Sequence, residues 1–148
     1  MKKGLLLAAV FAASMSVTNV FAANNVESSS IETVTNVEAA VLYKGTASIS
    51  MMNGRPMTGD YAASFYIDAA TGEIEGEFNV AGAHDFYIIG TYSGNNGSGT
   101  GTISLPGSTL LPFTASFTQV SVGSTATFVC TATLQSGAKS VFTFTGKK

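Results

Sequence analysis

The chain has 148 residues, a formal net charge of −2, 11% charged residues, one cysteine and one histidine. That length holds one domain after a leader, and a lone cysteine rules out an internal disulfide. The basic residues beyond the leader, Lys44, Arg55, Lys139, Lys147 and Lys148, make no basic patch, which weighs against a nucleic-acid partner.

Lys2 and Lys3 precede an apolar run from Gly4 to Ala13, and Val20-Phe21-Ala22 supplies small residues at the positions a signal peptidase reads. The run is too short to cross a bilayer. Residues 1–22 are therefore read as a bacterial-style secretory signal peptide, cut after Ala22 or Ala23, with an uncleaved membrane anchor as the alternative. Losing Lys2 and Lys3 takes the net charge from −2 to about −4 over about 126 remaining residues. No cysteine stands at the cut, so no lipid anchor is expected; the protein is expected to be secreted or at the cell surface, or to stay in the periplasm. Residues 23–42 are rich in Ser, Thr and Asn without a sustained period and read as a flexible leader, with a short helix around Val37–Leu42 as an option.

From Tyr43 the period becomes two. Tyr43, Gly45, Ala47, Ile49 and Met51 alternate with Lys44, Thr46, Ser48 and Ser50, the pattern of a half-buried strand. Tyr61, Ala63, Phe65 and Ile67 form a second, the turn Ala69-Ala70-Thr71-Gly72 follows, and Ile74, Gly76, Phe78 and Val80 form a third against Glu73, Glu75 and Glu77. Beyond Ala81-Gly82-Ala83-His84 a fourth carries Phe86, Ile88, Gly90 and Tyr92. Four more are read at Gly97–Leu105, Pro112–Val120, Ala126–Leu134 and Lys139–Thr145.

Short, evenly spaced strands joined by Gly-, Asn- and Ser-rich turns make an antiparallel meander, and eight of them close into an up-and-down barrel over residues 43–148. The fold class is all-β. The barrel accounts for Gly45, Gly76, Gly90 and Gly101 inside strands, where a small barrel bends or its chains approach closely. Periodicity alone leaves open which face is inward. With Phe and Ile inside, the barrel faces water; reversed, it is a small outer-membrane barrel. Strands shorter than the roughly 9–11 residues that cross a membrane, the absence of aromatic girdles and the ending Gly146-Lys147-Lys148 favour the first.

The segment Gly59–Asn95 resembles the barrel domains of transferrin-binding protein B, factor H-binding protein and their relatives. The resemblance lies in Gly59, Ala63, Phe65, Ile67 and Asp68, then Gly72 and Ile74, then Phe86, Ile88, Gly90, Gly94 and Asn95, with Tyr43-Lys44-Gly45 and Phe144-Thr145-Gly146-Lys147-Lys148 also in pattern. It extends over about two thirds of the exported chain. Two departures are the missing acylated cysteine and Gly97 at a position where relatives often carry an aromatic. The resemblance implies a barrel that binds a host or bacterial-surface protein. Through secreted relatives, the hemophilins, it implies haem as an alternative ligand. The family's binding sites lie on variable loops, so no site residue is carried over.

Residue by residue, nothing points to an enzyme. There is no Ser–His–Asp spacing, metal cluster or phosphate loop, and no catalytic residue or metal ligand is assigned. The glycine-rich run Gly94–Gly101 has no helix after it and reads as a hairpin. Glu73, Glu75 and Glu77 read as a solvated face, and Cys130, within an apolar row, as a buried small residue. Two places are candidate binding sites. The first is a loop over residues 52–58 with Met52, Arg55 and Met57 at a barrel rim, residue types suited to adaptable interfaces; the alternative has the methionines folding over the barrel mouth. The second is His84, read as an exposed loop histidine able to ligate haem iron, with Tyr87 near it in sequence; the alternative is an ordinary surface histidine.

Overall fold

The computed structural model describes residues 39–80, 84–107 and 109–148. The expected signal peptide, most of the expected leader and residues 81–83 lie outside the described residues. Eight strands follow in order: β1 (Val41–Met52), β2 (Arg55–Asp68), β3 (Glu73–Val80), β4 (His84–Ser93), β5 (Asn96–Ser104), β6 (Leu110–Val122), β7 (Thr125–Leu134) and β8 (Lys139–Lys147). Each pairs antiparallel with the next, and β8 returns to β1 to close the barrel.

The alternation in the sequence becomes inside and outside. Phe65, Ile67, Ile74, Phe86, Ile88, Phe117, Phe128, Phe142 and Phe144 are all at most 1% exposed. Phe65 packs tilted against Phe144 and edge-on to Phe128, with ring centroids 4.6 and 5.1 Å away, and Phe78 lies 4.7 Å from both Phe86 and Phe142. Such pairs add about 0.5–1.5 kcal/mol each beyond the area they bury. The lumen is thus filled by side chains, as an eight-stranded barrel permits.

Gly76 is where that filling needs a missing side chain. It stands opposite Phe65 across β2 and β3, and a Cβ there would lie 2.2 Å from the Phe65 ring and 2.4 Å from the Ser64 carbonyl. Gly101 stands in the same relation to Phe113.

Four sequence expectations need correction. The barrel begins at Val41, so Val41 and Leu42 are strand, not leader or helix; their main chain pairs with Ile67 and Tyr66. The segment 52–58 is not a loop. Asn53 and Gly54 alone make the turn, both at positive φ (50° and 78°), and β2 starts at Arg55. An Asn-Gly pair in that conformation matches the twist of the flanking strands. A register shift between Ile49 and Met51 then makes Met52, not Met51, the buried residue. Finally, strand length does not separate the two barrel types, since β2 has 14 residues, β6 has 13 and β1 has 12. The outward rows are polar in part, with Glu75 and Glu77 on β3 and Thr127, Thr131, Thr143 and Thr145 on β7 and β8, and charged residues such as the two glutamates are costly on a lipid-facing wall.

Candidate functional site

Met52, Arg55 and Met57 flank the β1–β2 turn, and His84 begins β4, at the strand ends of the same side of the meander. Met52 is buried. Ser140 on β8 donates its hydroxyl to the Met52 sulfur at 3.5 Å and accepts from the Asn53 amide at 3.1 Å. The Gly54 amide donates to the Lys139 carbonyl at 2.7 Å. These contacts pin the turn to β8. Met57 is partly buried against the core, and Arg55 is exposed. Both methionines therefore pack into the barrel, and of the three only Arg55 is exposed.

His84 is the first residue of β4, not a loop residue. It is partly buried, with Nδ1 3.1 Å from the Ser104 carbonyl of β5. Tyr87 is three positions on, so it points to the opposite face of the same strand. The pair does not converge on one ligand atom. Tyr87 is 37% exposed on the outer wall and donates its hydroxyl to Glu75 Oε1 at 2.7 Å. Its phenol is pushed up to about 12 by desolvation first, and then by the Glu75 hydrogen bond and the charges of Glu75 and Glu77.

The sequence reading missed the neighbours of Tyr87. Among the described residues, the exposed large apolar ones are Tyr66 (52%), Ile89 (38%) and Leu110 (63%) besides Tyr87. Tyr66 sits opposite Glu75, and Glu75 opposite Ile89; Glu77 sits opposite Tyr87, and Tyr87 opposite Thr102. The outer wall of β2–β4 is thus an aromatic and aliphatic strip interleaved with carboxylates. A groove of about 580 Å³ continues it over β5 to β7, lined by Ile89, Thr100, Pro112 and Leu134, with Tyr87 at its edge. The signal was present in Phe86-Tyr87-Ile88-Ile89, where four apolar residues in a row place bulk on both faces of a strand.

Among the described residues, no group of three or more His, Cys, Asp or Glu is placed to hold a metal ion. Cys130 is fully buried, and burial pushes its thiol up to about 12. Asp68, also buried, accepts from the Ala70 and Thr71 amides at 2.8 and 3.2 Å and so shapes the β2–β3 turn.

No protein-family model matches the chain. No curated protein matches it either. Among solved structures it is similar to the isotype 1 transferrin-binding protein B of serogroup B Neisseria meningitidis, at 17% identity and a TM-score of 0.49. The likeness covers 79% of this chain, which spans 27% of that protein's chain.

Proposed function

We propose that the chain is an exported, non-enzymatic binding module whose partner is another protein, at the bacterial surface or of a host. The filled lumen carries this reading. With Phe65, Phe128, Phe142 and Phe144 packed ring to ring, the interior holds no small molecule, and recognition falls to the outer wall and the rims. Tyr66, Tyr87 and Ile89 supply on that wall the aromatic and aliphatic area that anchors protein interfaces, and Arg55 supplies a cation at the rim. The family resemblance in the sequence implies the same role. No observation favours the haem alternative, because His84 and Tyr87 face apart.

The test is capture of a partner from host serum and from the producing bacterium's envelope, with the wild-type chain against Tyr87→Ala/Ile89→Ser. The expected result is one specific partner, held at least tenfold more weakly by the double variant, which is about 1.4 kcal/mol. Equal capture by both chains would remove the outer wall from the reading.

A further inference from the structure

Closing a sheet into a barrel staggers its strands. Here much of the stagger falls at one place. β1 is paired on both sides for most of its length, with β2 from Val41 to Met52 and with β8 from Lys44 to Met51. β2 pairs with β1 from Arg55 onward, but with β3 only from Ala63 to Asp68. Among the described residues, the stretch Arg55–Ala62, eight residues long, therefore has a paired strand on one side only. Among the described residues no other strand has a one-sided stretch as long; the next is the end of β6 beyond Phe117.

The residues of this edge fit an open side. A two-residue turn puts its flanking pair, Met52 and Arg55, in hydrogen-bonding register, so the next residue turns its main chain outward. That residue is Pro56, which has no N–H to leave unpaired. An open strand edge also has a determinate ligand. Amides and carbonyls repeating along an extended chain are matched by another extended chain and by nothing smaller.

At its inner end the edge runs into a groove of about 520 Å³ on the outer wall, lined among others by Lys44, Ala62, Ser64, Glu77, Asp85 and Tyr87. Two carboxylates against one ammonium leave that groove acidic. A strand laid along Arg55–Ala62 and continuing into it would place a cationic side chain beside Glu77 and Asp85. Pro56 and Asp60 blunt the edge against an equal edge of a second copy, since such a ladder would hold two prolines; with a single added strand it holds one.

We propose that the Arg55–Ala62 edge of β2 is a strand-addition site for an extended segment of a partner polypeptide, with a lysine or arginine seated beside Glu77 and Asp85. This rests on the reading of the chain as a partner-binding module, and adds where and in what conformation the partner binds.

The test is amide hydrogen exchange of the exported chain, alone and with the peptide Lys-Thr-Val-Thr-Val-Thr-Val-Thr. Two further versions of the peptide are N-methylated at alternate residues, each along one edge. In the free chain, amides of Arg55–Ala62 on the open side should exchange fast. The peptide should slow them about tenfold or more, one methylated version should lose the effect, and the other should keep it. Glu77→Gln should weaken the lysine peptide more than its alanine counterpart. Protection already present in the free monomer, protection that grows with protein concentration as copies pair, no slowing by peptide, or equal binding by both methylated peptides would each overturn the proposal. If the peptide fails while partner capture still depends on Tyr87 and Ile89, the strand-addition site falls and the binding module stands.

Discussion

At the scale of single residues, the two glycines Gly76 and Gly54 are required for opposite reasons. Gly76 leaves room for the Phe65 ring, and a methyl group there has nowhere to go because the Ser64 carbonyl closes the other side. Gly76→Ala should therefore cost several kcal/mol, in the range of overpacked cores or beyond, read as a lower urea midpoint with unchanged slope. Cys130 gives a second test. Its thiol is inaccessible and should react with a thiol reagent only at the rate of unfolding. Burial raises the thiol from about 9 to about 12, so folding holds its proton more tightly than the unfolded chain does. The stability this contributes is complete below about pH 9 and is lost as pH rises toward 12. Tyr87, raised from 10 to about 12, adds in the same direction. Urea midpoints measured across that window should fall, and Cys130→Ala should flatten part of the fall.

At the scale of elements, the β1–β2 hairpin is the one whose boundaries the sequence reading placed wrongly. Met52-Asn53-Gly54-Arg55-Pro56-Met57-Thr58 contains Arg, Pro and two Met and looks like a loop by composition. Its Asn-Gly pair is a turn signal strong enough to close the hairpin in two residues, which returns Arg55–Asp60 to strand. Nothing lies within 4 Å of a Cβ built at Gly54, so Gly54→Ala should cost only the backbone strain of φ 78°, about 1 kcal/mol, and leave the fold intact. Thermal denaturation of Gly54→Ala beside Gly76→Ala would separate strain from clash. The strands from β3 onward were legible because their periods are unbroken. Their ends shifted by at most two residues, since hydrogen bonds to a neighbour continue a strand after its own alternation fades, as at Leu110.

At the scale of the whole molecule, the filled lumen and the polar outer wall set the expected behaviour. Residues 24–148 should run as a β-rich species without detergent, because the Glu and Thr rows face outward. Precipitation that only detergent reverses would return the membrane barrel. Titration with haem should give no saturable Soret shift, since the interior is closed and His84 and Tyr87 lie on opposite faces. A shift abolished by His84→Ala would overturn that expectation.

The sequence by itself determined the fold class, the number and order of the strands, and which face of each is apolar. All three follow from a period of two interrupted by turn residues, and a period is a local property. Only the tertiary structure decided that the apolar rows face inward, that Met52 and not Met51 is buried, that His84 and Tyr87 do not meet, and that β2 carries a one-sided edge. Each of these depends on register between strands far apart in the chain. One inserted residue at a bulge or one step of stagger changes the outcome, and no local pattern records it.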